Sequence, residues 1–444
     1  MNRPLRCVVL GAAGRDFHDV QTFFKRHPDW HVVAITAAQI PFIDRRTFPR
    51  ELAGPAYADD IPIRLESELP ALVREHAIDL VVLSYSDLSH AEVMHKASLA
   101  LSLGAGFALL PPRETTLKSV KPVVSITAVR TGAGKSPLTQ HIARALVARG
   151  LRVGVLRHPM PYGDLRRQRV ERFATEEDLV RYECTLEERE EYEPYVEMGL
   201  AVFAGVDYAA ILEAAEKECD VVLWDGGNND LPFVRPDLWI TVVDALRPGH
   251  EVSYHPGETN LRAADVVVIN KVADATPEAL ATVRGNVHAF APHARVVESA
   301  LVVSADPPDG IAGKRALVIE DGPTVTHGSM SYGAGTLAAK AHNAREIIDP
   351  RPFAVGSIAQ AYKTYSQMGA VLPALGYSPA QREELAETIR RCAPEVVVDG
   401  SPARVARVLG LDVPVVRARY RFEQRAGDDL LSMVFDALPN GGTR

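Results

Sequence analysis

Between an apolar run, Val123 to Val129, and a stretch of helical character from Ser136 to Arg149 stands Arg130-Thr131-Gly132-Ala133-Gly134-Lys135-Ser136. Glycines at this spacing let consecutive backbone N–H groups turn toward an anion, and the following helix N-terminus adds its partial positive charge. The chemistry implied is phosphate binding: Thr131, Gly132, Ala133 and Gly134 form the cradle, Lys135 reaches the outer phosphates, and the Ser136 hydroxyl is placed for Mg²⁺. Val129 stands where the G-x-x-x-x-G-K-[ST] pattern has its first glycine. A second apolar run, Val221 to Trp224, ends on Asp225, the residue type and position expected to hold a metal or orient an attacking group. The turn Gly226-Gly227-Asn228-Asn229 follows, with Asp230 either a catalytic acid or the cap of that turn.

A third run, Val266 to Ile269, ends in Asn270-Lys271. An amide and a lysine stem at such a place frame a nucleobase. Guanine reading asks for an acid two residues after the lysine, but Ala273 stands there and Asp274 comes one residue late. An Asn can pair with adenine N6/N7, so ATP with Mg²⁺ is the expected pair. Four loops expected to follow strands carry cations: Arg157-His158, Arg247 with His250, the stretch to Arg262, and the stretch to His327. Open α/β sheets bind ligands at the carboxyl ends of their strands. Together these loops predict a small anionic, phosphorylated substrate.

The elements that must position these groups alternate as strands and helices, which implies parallel sheets with helical crossovers. Residues 1–120 read as a Rossmann-like N-terminal domain and 121–346 as a P-loop nucleotide-binding domain with an acidic insertion over 165–200. Residues 347–444 read as a C-terminal α/β region, either separate or completing the P-loop sheet. In the first unit Gly11-Ala12-Ala13-Gly14 is a weak phosphate turn, and Thr36-Ala37 stands where an NAD site needs an acid, which weakens a dinucleotide oxidoreductase. The stretch Ser84 to His90 is either a helix cap or a polar wall facing substrate.

The 444 residues carry a formal charge of -8. Nucleic-acid coating is disfavoured by that sign, and no run approaches a membrane span. Four scattered cysteines suggest core thiols in a reducing cytoplasm. Between Glu171 and Glu197 eleven acids face three bases, so this window carries the whole net charge. A solvated helical face is the plain expectation for it, with a lid or interface as the other reading.

The strings RTGAGKS, RHPMPYGDL, EEREEYEPY, LWDGGNNDLPF, RPGHE, PGETNLR and EDGPTVTHG resemble the cyclic 2,3-diphosphoglycerate synthetase family over most of the chain. That resemblance implies a SIMIBI-class P-loop ligase, with Arg130 where signature-lysine relatives carry an extra lysine. The activity implied is ATP-dependent closure of an intramolecular phosphoanhydride, releasing ADP and phosphate. Lys135, Arg130, Asp225 and Asp230 are then the catalytic set, and a homodimer is the expected assembly. Two other readings stand beside it: a SIMIBI-type GTPase assembly factor, and a kinase or ligase acting on another phosphorylated metabolite.

Overall fold

The β-branched runs form strands, since Val and Ile pack well on a pleated surface. The computed structural model describes residues 3–11, 14–37, 46–158, 163–227, 230–326, 331–375 and 378–438, with the backbone alone at 323, 324, 406 and 407. His327, Asn228 and Asn229 lie outside the described residues.

The N-terminal sheet runs in the order Thr47–Phe48, Ile61–Leu65, Trp30–Ala37, Leu5–Leu10, Leu80–Leu83, Gly106–Leu109. All its pairings are parallel except that of the short edge strand Thr47–Phe48. The first strand therefore lies inside the sheet, with its carboxyl end opening between neighbours on either side.

The second sheet places Val153–Arg157, Val221–Asp225, Val123–Ala128, Leu238–Asp244, Val266–Asn270 and Arg295–Asp306 side by side and parallel. These strands are almost continuously apolar because helices cover both faces. Arg295–Asp306 then pairs antiparallel with the long strand Val415–Gly427, which continues in parallel to Val396–Gly400 and Arg315–Glu320. Strands after residue 347 are thus hydrogen-bonded into the sheet that bears the phosphate loop.

A short antiparallel pair, Leu88–Ser89 with Tyr254–His255, sews the two sheets together. The backbone N–H of His90 donates to Ser253 O at 2.9 Å. The N-terminal unit is thereby fixed against the loops of the second.

The acidic window departs from the expected solvated face. In its helix Leu186–Val196, the residues Glu187, Glu188, Arg189, Glu190, Tyr192, Glu193 and Tyr195 are all buried. Leu186 packs against Leu317 and Ile319 in the C-terminal half, whereas Tyr192 and Tyr195 join the core around Leu138 and Val155. The helix therefore spans the two halves of the sheet. Buried charge is tolerated where it is paired. Glu197 is held by Arg404 at 2.6 Å, Arg419 at 2.5 Å and Arg417 at 3.5 Å, and Arg189 by Glu176 at 2.8 Å. A local charge count cannot anticipate partners that arrive some 200 residues later in the chain.

Candidate active site

The phosphate loop leaves the buried strand Val123–Ala128 and enters the helix Lys135–Ala148. Gly134 has φ 103°, and a Cβ there would lie 2.1 Å from Asn270 Nδ2, so only glycine fits. Three side chains pull the loop's carbonyls to one side. Arg247 Nη2 donates to Thr131 O at 2.7 Å, Lys271 Nζ to Gly132 O at 2.7 Å, and Asn270 Nδ2 to Ala133 O at 2.9 Å. With the carbonyls held outward, the intervening N–H groups can face an anion.

This bracing corrects the nucleobase reading of Asn270 and Lys271. The Asn270 amide is engaged at both ends, since besides the Nδ2 bond its Oδ1 accepts from Lys271 N at 2.9 Å and from Ser299 Oγ at 3.0 Å. Lys271 also pairs with the buried Asp244 at 2.7 Å, as does Arg247 at 2.8 Å. The adenine argument drawn from Asn270 therefore loses its footing. Asp244, at the end of the strand Leu238–Asp244, was missed in the sequence, although an acid closing an apolar strand is the same signal that marked Asp225.

Asp225 is fully buried. Its Oδ1 accepts from Lys135 Nζ at 2.5 Å and Thr139 Oγ1 at 3.3 Å, and its Oδ2 from Tyr195 Oη at 2.5 Å and from Arg157. Burial pushes the carboxyl up, but Arg157 and Lys135 prevail and hold it at about 2. Burial likewise brings the Lys135 ammonium down to about 8, against the pull of Asp225. Both oxygens of Asp225 have two donors, Lys135 among them, so the metal-ligand role expected of it requires Lys135 to turn to the phosphates. Ser136 stands in the first turn of the helix Lys135–Ala148, directly after Lys135. Among the described residues, no group of three or more His, Cys, Asp or Glu is arranged to hold a metal.

The loop cations converge, but each meets a carboxylate or another committed group. Arg157 lies between Asp225 and Glu191, and His158 Nδ1 is 3.0 Å from Asp230. Arg130 Nε lies 2.7 Å from Asp87 Oδ1, its guanidinium covers the Tyr254 ring at 3.8 Å, and its Nη1 is 3.3 Å from His250 Nδ1. Arg262 does not join them. It pairs with Glu258 at 2.7 Å on an exposed helix face and stacks on Phe290.

The N-terminal unit brings two stretches noted in the sequence, Ser84 to His90 and the turn ending at Gly14, against the second unit. Asp87, in the stretch Ser84 to His90, reaches Arg130 and also bonds Thr131. His18 stacks on Phe233 with ring centroids 4.1 Å apart. Gly14 faces the His158 ring so closely that a Cβ would sit 2.2 Å from it.

Arginine synthetase ArcE of Thermococcus kodakarensis is 56% identical to this chain over 419 residues, which is 94% of each. The chain belongs to the arginine synthetase ArcE family. As an ArcE-family member it is an enzyme of synthetase type, built on α/β sheets with a phosphate loop. The ArcE relative is named for arginine, where the sequence strings resemble the cyclic 2,3-diphosphoglycerate synthetases. No family model matches the chain. Among solved structures, LpxK from Aquifex aeolicus in complex with ATP overlaps with a TM-score of 0.39 at 13% identity, over 84% of the ArcE-family chain and 100% of LpxK. A DUF1611 family protein from Anabaena variabilis overlaps with a TM-score of 0.22 at 14% identity, over 67% and 95%.

Proposed function

We propose that this chain is an ATP-dependent ligase that makes arginine by replacing the oxygen of a ureido group with nitrogen. The observation that carries the reading is the identity of 56% across 94% of a relative named arginine synthetase. Arginine's guanidinium differs from a ureido group by one nitrogen in place of oxygen, so the precursor with the same skeleton is citrulline. Oxygen is a poor leaving group until it is phosphorylated. The phosphate loop, with Lys135 at its end, suits transfer of the γ-phosphoryl group to that oxygen. Ammonia then attacks the carbon and phosphate departs, leaving ADP, phosphate and arginine.

The electrostatics support an amino acid over a polyanion. Arg130, Arg157, His158, Arg247 and Lys271 each have an acid beside them. A phosphate monoester carries about -1.5 to -2 charge near neutrality, so 2,3-diphosphoglycerate calls for an excess of cations that the described residues of these loops do not offer. Arg130, Lys135 and the loop N–H groups would hold the transferring phosphoryl, and Arg157 would fix Asp225 behind Lys135. Ser136 would meet magnesium carried in with ATP, which would supply charge neutralisation for the phosphates. The four cysteines are buried, with Cys7 pushed up to about 12 and Cys219 and Cys392 to about 11 by burial. None is a ready thiolate for hydrolysing glutamine, so free ammonia is the nitrogen source favoured.

The deciding experiment incubates the protein with ATP, Mg²⁺, ammonium and citrulline and follows ADP and arginine by chromatography. Arginine appearing one for one with ADP is the expected result. A parallel incubation with 2,3-diphosphoglycerate, followed by ³¹P resonance, carries the other reading. A cyclic phosphoanhydride there, with no arginine in the first tube, would return the chain to the cyclic 2,3-diphosphoglycerate synthetases.

A further inference from the structure

Between the N-terminal unit and the second sheet, Asp19 and Asp230 are two carboxylates buried without enough donors. Asp19, on the helix Arg15–Thr22, is 1% exposed, and its Oδ2 accepts from Ser84 Oγ at 2.7 Å, while its Oδ1 has no partner. Asp230 is 1% exposed and neither oxygen has a hydrogen-bond partner, although Oδ2 lies 3.0 Å from His158 Nδ1. The two acids are close enough that Asp230 acts electrostatically on Asp19. Asp230 also acts on Lys135, which puts this pair beside the phosphate-transfer site.

The nearby cations answer these acids only in part: His158 reaches one oxygen of Asp230, and Arg15 stands beyond hydrogen-bond distance of Asp19. Arg15 Nε stands 3.8 Å from Asp19 Oδ2, and its Nη1 and Nη2 donate to Leu231 O at 3.3 Å and Thr115 Oγ1 at 3.2 Å. Lys135 bonds to Asp225. Burial and Arg15 lower His255 to about 4 and His18 to about 3, so neither carries charge near neutrality. Two buried acids with unmet acceptors call for a small cation rich in donors. The described residues offer no metal-ligand group of three, and ammonium has four N–H donors directed tetrahedrally.

We infer that Asp19 and Asp230 form the receiving site for the ammonium ion that becomes the new guanidinium nitrogen. This rests on the arginine-forming reading above. In the step, ammonium gives one proton to Asp19 and the resulting ammonia forms a bond to the carbon of the phosphorylated ureido group. The carbon–oxygen bond to phosphate breaks, its electron pair leaving with inorganic phosphate, and Asp19 later passes its proton to solvent. Burial and Asp230 raise the Asp19 carboxyl, against Arg15 and Ser84, to about 6, which suits a group that must take a proton and give it up near neutrality.

The test measures ADP release against ammonium chloride, citrulline and ATP in turn, for the whole protein and for Asp19→Asn and Ser84→Ala. Asp19→Asn is expected to raise the KM for ammonium at least tenfold with the KM for ATP within twofold, and Ser84→Ala to raise it by a smaller factor. A rise in the KM for citrulline alone would overturn the inference, because the pair would then seat the amino acid's own ammonium group. Thermal unfolding in 50 mM ammonium chloride against sodium and potassium chloride is read independently of activity. Stabilisation by ammonium alone, absent in Asp19→Asn, supports the site even if the enzyme makes no arginine. Equal effects of all three salts overturn it. If the wild-type protein makes no arginine yet shows the ammonium-specific shift, the arginine-forming reading fails while the cation site stands.

Discussion

Tyr195 donates a hydrogen bond to Asp225 at 2.5 Å, so a helix from the most acidic stretch of the chain touches the carboxylate that holds Lys135. Removing the hydroxyl leaves a buried charged oxygen with Arg157 as its remaining donor. A hydrogen bond to a charged group contributes about 1.5–3 kcal/mol. Tyr195→Phe is expected to lower stability by that amount in urea titration and to weaken ATP binding together with it. An unchanged urea midpoint would show the contact to be idle.

Nucleotide affinity should depend on pH through Lys135. Its ammonium sits at about 8 in the free protein, because burial outweighs the attraction of Asp225. Phosphate binds the protonated form better, so affinity is highest below pH 8 and falls as pH rises through it, by up to about tenfold per unit. Calorimetric titration with ATP at pH 7, 8 and 9 measures this. Lys135→Arg, which stays charged, should flatten the profile while binding more weakly throughout.

Asn270→Ala separates bracing from base recognition. Loss of its bonds to Ala133 O and Ser299 Oγ leaves buried polar groups unmet, at a cost of about 1–3 kcal/mol. ATP and GTP affinities should fall by similar factors, since what is lost is the shape of the phosphate loop. A drop confined to one nucleotide would restore Asn270 as a reader of the base.

Gly14→Ala should damage the junction between the two sheets. The new methyl group would meet the His158 ring at 2.2–2.3 Å and drive it away from Asp230. Overpacking of this kind destabilises by about 1–3 kcal/mol. Gly14→Ala combined with His158→Ala should recover much of that stability, though not activity, and the double-mutant cycle measures the contact directly.

Glu190 carries a stability signature of its own. Burial, then Asp321, Glu187 and Asp399, push its carboxyl well above the ordinary range, so the folded state keeps a proton that the unfolded chain releases. Stability from this group is full below the unfolded pKa of about 4.3 and is lost as pH rises toward the raised folded value. Glu190→Gln keeps the shape without the titration. It is expected to be more stable than the wild type at pH 8, with the gap closing toward pH 4 in thermal unfolding scans.

The phosphate loop, the apolar strands and the alternation of strand and helix were legible in the residues, because each depends on neighbours within a few positions. Gly134, Lys135 and Asp225 announce themselves by local spacing. The partners of those groups come from far along the chain: Asp87 for Arg130, Glu191 for Arg157, Asp244 for Lys271, and three arginines after residue 400 for Glu197. A sequence shows how many charges a loop carries but not what neutralises them, since a Coulomb energy depends on a distance that only folding sets. For the same reason the acidic window reads as solvent-facing while its helix lies between the two halves of a sheet. Local chemistry determined that this protein handles phosphate. The tertiary structure decided which acid stands beside each of its cations, because those partners meet only on folding.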